Sequence, residues 1–178
     1  DRIKGLKVPI VYNSNGYESI EGLKAMEGRA DIYLPDLKYK SGEISERYSR
    51  APDYFEIATA AILEMYRQVG NPKLDGNGIL QGGLIIRHLI LPGLTQESIK
   101  ILDWIAANLP REVMVSIMSQ YTPYYKASCF GEINRRITRR EYEKVVNHAY
   151  KRGLENGYIQ ERDSAEEEYI PDFNLEGV

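Results

Sequence analysis

Polar and charged side chains lie in, or directly after, four short apolar runs of this 178-residue sequence. An unpaired charge in apolar surroundings costs several kcal/mol, so each of these positions needs a partner or a ligand. Carboxylate, ammonium and guanidinium groups gathered in one cavity would bind a small charged ligand, whereas the same groups paired with each other would only shape the fold. The residues concerned are Asn13, Ser14, Asn15, Asp36, Lys38, Arg87, Gln120 and Tyr121.

Two-residue periodicity predicts which of these side chains share a face. Asp36 and Lys38 alternate with apolar residues of the second run, and Arg87 alternates with those of the third. If both faces line one cavity, Asp36, Lys38 and Arg87 converge there, either as a ligand site or as an ion-pair network. His88 points to the opposite face from Arg87, and we interpret it as a packing histidine with satisfied hydrogen bonds.

Alternating strand and helix patterns predict the elements that position these residues. Strands are predicted at Val8–Asn13, Asp31–Leu37, Leu84–Leu91 and Val113–Met118. Helices are predicted at residues 20–28, Glu43–Ser49, Asp53–Val69, Ile99–Leu109 and from the Thr138 capping box to Gly153 or Gly157. The third strand is apolar except for Arg87 and His88, which is typical of a parallel strand covered on both faces. The Asp-Gly-Asn-Gly sequence within Leu74–Ile79 predicts a hairpin turn.

This order of elements predicts an α/β fold, a partial (β/α) barrel of about four parallel strands with outer helices and a β-hairpin insertion. We expect one domain over residues 1–160 and a loose acidic tail over 161–178, which contains Glu166–Glu168. Ligands of such folds bind at the carboxyl ends of the strands, where the polar residues lie. A sheet of four strands is not closed, and its open edge favours self-association.

The composition excludes several functions. A net charge of -3 gives no reason to expect a nucleic-acid or membrane partner, and no apolar run approaches the roughly 18 residues of a membrane span. The single cysteine, Cys129, excludes an internal disulfide and indicates a reducing, cytoplasmic compartment. One cysteine and two histidines cannot form an ordinary closed zinc or iron–sulfur site. The first residues resemble neither a signal peptide nor an initiator region, so we expect the chain to begin within a longer protein.

Three motifs in succession carry a family resemblance. They are Ser14-Asn15-Gly16, Asp36-Leu37-Lys38 and the run from Ile86-Arg87 to Pro92-Gly93. In their order and spacing they resemble the S-N-G turn, the D-L-K strand end and the I-R-x-x-x-x-P-G strand of radical S-adenosylmethionine (SAM) enzymes of the pyruvate formate-lyase-activating group. The resemblance extends over residues 7–125.

The resemblance implies strands three to six of a (β/α)6 partial barrel. The family's C-x-x-x-C-x-x-C loop and G-G-E motif do not occur in the sequence. As a full-length protein, such an enzyme would use a 4Fe–4S cluster to cleave SAM reductively and generate a 5′-deoxyadenosyl radical. Without the cluster motif, we expect this chain to contain no catalytic residue, to bind neither cofactor tightly and to be inactive alone.

The resemblance also assigns roles to single residues. It places Asn13, Ser14, Asn15 and Asp36 near the SAM carboxylate and a monovalent cation, although the family usually has aspartate where Asn13 stands. Lys38 and Arg87 match charged positions that contact SAM. These assignments give six expected cofactor-binding residues.

Gln120 and Tyr121 fall where the activating enzymes have a substrate-contacting histidine. They are therefore the expected substrate-binding residues, and the substrate is expected to differ from the usual glycyl-radical loop. A glycyl-radical protein and a small molecule both remain open as partners.

Two other functions stay open. The chain would be a non-catalytic binding or assembly module if it acts alone, using its open strand edge. Alternatively, Lys38 at a strand end could form a Schiff base in an aldolase-like barrel. The basic cluster Arg135, Arg136, Arg139 and Arg140 is interpreted as a solvated face, with an anion or acidic partner as the alternative.

Overall fold

The sheet consists of four parallel strands and one short antiparallel strand at the amino end of the central strand. A computed structural model describes residues 8–157. The strands are β1 (Val11–Ser14), β2 (Ile32–Pro35), β3 (Lys73–Leu74), β4 (Leu80–Leu89) and β5 (Met114–Met118). The parallel strands follow the spatial order β1, β2, β4, β5, and β3 pairs with β4 as a hairpin. The predicted α/β fold, an open parallel sheet with a hairpin insertion, is confirmed.

Helices connect the strands and cover one face of the sheet. They are α1 (Ile20–Ala25), α2 (Gly42–Ser49), α3 (Tyr54–Val69), α4 (Thr95–Asn108) and α5 (Arg139–Lys151), with a 3-10 turn at Tyr125–Cys129. Leu84 and Ile86 of the central strand, and Ile90 directly after it, are fully buried against them. The intervening Arg87 and Leu89 are only half-buried, because they point to the opposite face of the sheet. One face of the sheet therefore forms the core and the other faces a cleft.

Strand register brings the predicted site residues to one level of the sheet. Asp36 forms a parallel bridge with Arg87 just beyond β2, and Arg87 is level with Ser116 of β5. The Leu37 N–H continues the ladder by donating to the Arg87 carbonyl. Because side chains alternate with a period of two, a shift of one residue would move Asp36 to the helix-covered face.

Some predicted boundaries were wrong, for local reasons. The first strand begins at Val11 instead of Val8, because Pro9 has no N–H and the Ile10 N–H is satisfied by the Asp31 carboxylate at 2.9 Å. The central strand begins at Leu80, four residues early, because the hairpin extends its pairing.

The β1 edge and the chain ends bear on two further predictions. Within residues 8–157, β1 pairs with β2 on one side and has no strand on the other, and Val11 is 50% exposed. Self-association through this edge stays a prediction. The predicted acidic tail lies outside the described residues. In the described part, no helix has the length and apolar character needed to cross a membrane.

Candidate functional site

An ion pair between Asp36 and Arg87 occupies the carboxyl edge of the two central strands. The Arg87 Nη2 lies 2.7 Å from Asp36 Oδ1, and Nε donates to the same oxygen at 2.8 Å. The Arg87 and Asp36 side chains are 27% and 15% exposed, so the pair is partly desolvated but open to a ligand. The predicted convergence of these two residues is observed, and the pair is at once a structural contact and part of a cleft wall.

Lys38 completes the charged group. Its Nζ lies 3.4 Å from Asp36 Oδ2, while its side chain remains 39% exposed. A lysine that forms Schiff bases needs an amine desolvated in an apolar pocket or beside another cation. Lys38 instead lies beside a carboxylate at a solvent-exposed edge, so the geometry gives the Schiff-base alternative no support.

A cleft of about 480 Å³ opens over this charged group, on the face of the sheet to which Arg87 and Leu89 point. Its walls combine charges of both signs with a carboxamide, a phenol and apolar side chains. The lining residues are Asp36, Lys38, Tyr39, Arg87, Leu89, Leu91, Met118, Gln120, Tyr121 and Thr122. Burial raises the pKa of Tyr121, so its hydroxyl stays protonated near neutral pH. Such a cleft suits a ligand that carries both an anionic and a cationic group.

The turn after β1 packs on the strand end that carries Asp36. Gly16 has a φ of +83° and no room for a Cβ atom, because the Asp36 carbonyl oxygen occupies that position. Ser14 Oγ accepts the Gly16 N–H at 2.9 Å, and Asn15 Oδ1 accepts the Tyr17 N–H at 2.9 Å. The turn is therefore shaped by its own side chains and placed by contact with the neighbouring strand.

Not all predicted cofactor-binding residues reach the cleft. Asn13 is exposed on the edge strand and level with Leu34, and it is not among the cleft-lining residues. Ser14 Oγ is occupied by the Gly16 N–H, and the Ser14 carbonyl accepts the Asp36 N–H at 3.0 Å. Asn15 lines a neighbouring crevice instead. The structure thus brings Asp36, Lys38 and Arg87 together in the cleft. Asn13, Ser14 and Asn15 lie outside its lining.

Tyr54 connects the two motifs and was missed by sequence reasoning. Its hydroxyl accepts the Lys38 N–H at 3.1 Å and lies 2.9 Å from the Asn15 carbonyl and 3.0 Å from the Asp36 carbonyl, to which it donates. Burial raises its pKa well above the ordinary tyrosine value, which keeps the hydroxyl a donor. In the sequence, Tyr54 is one of fourteen tyrosines, and nothing local distinguishes it.

Two buried side chains support the Lys38 loop from the helix side. His88, 1% exposed, has Nδ1 2.7 Å from the Leu37 carbonyl and Nε2 2.8 Å from Ser98 Oγ. Burial lowers its pKa, so the ring is neutral, and the predicted packing role is confirmed. Glu97, which sequence reasoning missed, accepts the backbone N–H groups of Lys40 and Ser41 at 3.0 and 2.7 Å. Its position in the first turn of α4 gave no hint of this contact.

The basic cluster at the start of α5 forms local ion pairs. Arg135 binds Glu141 with both terminal nitrogens, and Arg139 pairs with Glu143 four residues later. Glu141 also accepts the Gly93 N–H at 2.7 Å. This hydrogen bond links the Pro-Gly turn after β4 to the capping box of α5. These contacts agree with the interpretation of a solvated face. Cys129 is exposed.

The described residues do not provide ligands for a metal cluster. Across residues 8–157, no three histidine, cysteine or acidic side chains lie close enough together to hold a metal ion. An iron–sulfur cluster needs several cysteine thiolates, and the sequence contains one cysteine. These residues therefore do not fit the cluster.

Comparisons with known proteins give one relative and one solved structure of similar fold. No protein-family model matches the sequence. An uncharacterized protein of Methanocaldococcus jannaschii is 38% identical over 149 residues, which cover 83% of this chain. The chain spans 40% of the length of that relative.

The solved structure is a domain of a pyruvate-formate lyase-activating enzyme from Bacteroides vulgatus. It matches with a TM-score of 0.57 over 83% of this chain and 79% of that domain, at 13% sequence identity. At this identity the likeness concerns the course of the backbone and the arrangement of strands and helices. The chain therefore shares its fold with this domain of a pyruvate-formate lyase-activating enzyme.

Proposed function

We propose that this chain forms the SAM-facing and substrate-facing wall of a radical SAM enzyme related to the pyruvate formate-lyase-activating group. The single observation that supports it most is the meeting of the S-N-G turn, the D-L-K strand end and Arg87 at one edge of the sheet. These motifs are separated by up to about 70 residues in sequence, and the parallel sheet, together with the Tyr54 hydroxyl, brings them together.

The cleft contains charged groups of both signs, which suits the charges that SAM carries. SAM carries an α-carboxylate and an α-ammonium, which match the Arg87 and Lys38 cations and the Asp36 carboxylate. Gln120 and Tyr121 follow β5, line the same cleft as Asp36 and are proposed to face the substrate. Asn13, Ser14 and Asn15 remain proposed contacts with less support, because they lie outside the cleft lining.

In the complete enzyme, a 4Fe–4S cluster would supply the electron that cleaves SAM and yields the 5′-deoxyadenosyl radical. Its ligands are proposed to lie in another part of the full-length protein. This chain's own residues bind and orient: Arg87 is fixed by Asp36, and Lys38 is exposed enough to turn towards an anion. A glycyl-radical protein or a small molecule is the proposed substrate, in the cytoplasm.

Titration of the 178-residue chain with SAM, followed by backbone amide NMR, tests the binding role. Arg87→Gln should weaken SAM binding about tenfold or more, because one charged contact is worth roughly 1.5–3 kcal/mol. Arg67→Gln is the matched control, since Arg67 pairs with Glu64 on α3 and with Glu27 after α1, and none of the three lines the cleft. Equal affinities for the two variants would contradict the proposal.

The cluster part of the proposal is tested on the gene. The full-length reading frame is expected to encode a C-x-x-x-C-x-x-C motif before Asp1, and anaerobically reconstituted full-length protein should show the electron paramagnetic resonance signal of a reduced 4Fe–4S cluster. A reading frame without such a cysteine triad would refute the radical chemistry.

The open edge supports a second candidate, an assembly role. β1 leaves one side without a strand in the described part of the chain, and exposed backbone of this kind pairs readily with another strand. Sedimentation at increasing protein concentration should show a dimer, and Val11→Pro should abolish it. A monomer at all concentrations would remove this candidate.

A further inference from the structure

A second, smaller crevice opens beside the cleft, between the turn after β1 and the carboxyl end of α2. Its volume is about 290 Å³, and it shares Lys38 and Tyr39 with the cleft. It is lined by Asn15, Tyr17, Lys38, Tyr39, Ser49, Arg50, Ala51 and Tyr54. No carboxylate side chain is among these lining residues, while two are cations.

The hydrogen-bond acceptors in the crevice wall are already in use. Asn15 Oδ1 accepts the Tyr17 N–H at 2.9 Å, and the Asn15 carbonyl faces the Tyr54 hydroxyl at 2.9 Å. The Tyr54 oxygen in turn accepts the Lys38 N–H at 3.1 Å. A ligand that enters the crevice therefore meets few acceptors for hydrogen bonds of its own.

Some hydrogen-bond donors of the crevice wall, in contrast, have no acceptor among the described residues. Over residues 8–157, Arg50 makes no ion pair, and the Asn15 amide nitrogen makes no hydrogen bond. Tyr39 and Ser49 hydroxyls lie 3.0 Å apart, so one donates to the other and the acceptor keeps its own hydrogen. Burial raises the pKa of Tyr39, so this hydroxyl pair stays protonated near neutral pH. Lys38 is already paired with Asp36. Within residues 8–157, the remaining donors are the Arg50 guanidinium, the Asn15 amide and one hydroxyl hydrogen, and this surplus favours an anion.

Arg50 also has an unusual backbone conformation. Its φ of 55° and ψ of 37° are left-handed, a region that glycine and asparagine adopt more readily than arginine. Helix α2 ends there, and the conformation directs the chain into α3. This conformation caps the helix, because the Arg50 N–H donates to the Glu46 carbonyl at 2.9 Å, and the cap fixes the Arg50 backbone at the rim of the crevice.

We propose that the crevice binds an oxyanion, the carboxylate or phosphate end of a small-molecule substrate, with Arg50 as its main contact. The volume is at the lower end for ligand pockets, so it suits one such group, with the rest of the molecule extending past Lys38 into the cleft. That the bound molecule is a substrate rests on the proposed function; the anion site itself does not.

The experiment follows the side-chain Nε–H signal of Arg50 by NMR in the isotope-labelled 178-residue chain. Inorganic phosphate and acetate are titrated separately at constant ionic strength, which distinguishes a phosphate site from a carboxylate site. Saturable shifts of the Arg50 signal are expected with at least one of them. Arg50→Asn, which suits the left-handed backbone and so keeps the fold, should weaken binding about tenfold, and Arg50→Lys should recover part of it.

Arg67→Gln is the control for loss of one positive charge elsewhere. No saturable shift with either anion, or equal weakening in Arg50→Asn and Arg67→Gln, would overturn the assignment. SAM titrations separate this result from the proposed function, because Arg50→Asn should leave SAM affinity unchanged. In the unsubstituted chain, absence of anion binding with SAM binding present refutes only the crevice site, and absence of SAM binding with anion binding present refutes only the SAM site.

Discussion

The two sides of the cleft are constructed differently. On the β2 side, Tyr54, His88 and Glu97 hold the backbone around Asp36 and Lys38 by hydrogen bonds of 2.7 to 3.1 Å. On the β5 side, the chain leaves the sheet after Met118 and continues through exposed tyrosines and a single 3-10 turn. There, Tyr124 and Tyr125 are 49% and 82% exposed.

This difference fits a division of tasks. A side fixed by buried hydrogen bonds presents its charges in one arrangement, as a cofactor common to many reactions requires. A side formed by an exposed loop can change its residues without disturbing the sheet, and such loops set substrate choice in barrel enzymes. Substitutions on the β2 side should therefore affect stability strongly, and substitutions on the β5 side weakly.

Gly16→Ala should give the largest loss of stability on the β2 side. The new Cβ would clash with the Asp36 carbonyl oxygen at a positive φ, and we expect a loss of about 3 kcal/mol or more in the free energy of unfolding. Urea denaturation measures it. Gly28→Ala is the matched control, since Gly28 has a φ of +76° but no heavy atom within 4 Å of the added Cβ. It should lose only about 1–2 kcal/mol, the cost of the backbone conformation.

The Asp36–Arg87 pair should couple more strongly than an exposed pair. Its partial burial predicts an interaction energy of about 1–3 kcal/mol in a double-mutant cycle of Asp36→Asn and Arg87→Gln. The comparison cycle uses Arg139 and Glu143, whose side chains are 80% and 51% exposed, with an expected energy of about 0.3–0.5 kcal/mol. Equal coupling in the two cycles would mean that the cleft pair is fully solvated.

His88 should make stability depend on pH. Burial holds its pKa below the ordinary 6.5, so the unfolded chain binds a proton that the folded chain rejects. Its contribution is present in full above pH 6.5 and is lost as the pH falls towards the folded pKa, with a slope of at most about 1.4 kcal/mol per pH unit. His88→Gln should remove this part of the slope in urea denaturation between about pH 5 and about pH 7, the range around the ordinary histidine pKa.

The control for this pH effect is His148→Gln. His148 lies 2.8 Å from Asp103 on the partly exposed contact between α4 and α5, so its replacement removes a histidine from an accessible site instead of a buried one. Its replacement should leave the loss of stability on acidification in place. If both variants flatten the slope equally, burial of His88 is not its cause.

Tyr54→Phe should have a smaller effect. It removes one hydroxyl and leaves the Lys38 N–H without its acceptor, with an expected loss of about 1–2 kcal/mol. Tyr66→Phe, which removes an exposed hydroxyl bonded to Asn71, should cost about 0–0.5 kcal/mol. Thermal unfolding of both variants compares them, and a shift in the Lys38 amide signal should accompany only the first.

The smallest effect is expected on the β5 side. Tyr125 has a φ of 52° and is highly exposed, so Tyr125→Asn should be neutral or stabilise by up to about 1 kcal/mol. Chemical denaturation tests this. A loss above about 1 kcal/mol would show that the Tyr125 ring packs against the loop, and would weaken the contrast between the two sides.

Several features followed from the sequence alone. The apolar runs, the Thr138–Glu141 capping box and the Asp-Gly-Asn-Gly turn determined the order of strands and helices, because each depends on neighbours within a few residues. Period-two alternation also separated Arg87 from His88, since successive side chains of a strand point to opposite faces. These local rules were sufficient for the fold class and for the charged residues of the cleft.

Only the tertiary structure decided which polar groups meet. Asn13 and Ser14 were predicted beside Asp36, but the edge position of one and the local turn of the other keep their side chains out of the cleft. Tyr54 and Glu97 reach the loop from helices 16 and 57 residues away from their backbone partners, Lys38 and Lys40. Such contacts depend on how the helices pack on the sheet. The residues next to Tyr54 and Glu97 in sequence do not determine that packing.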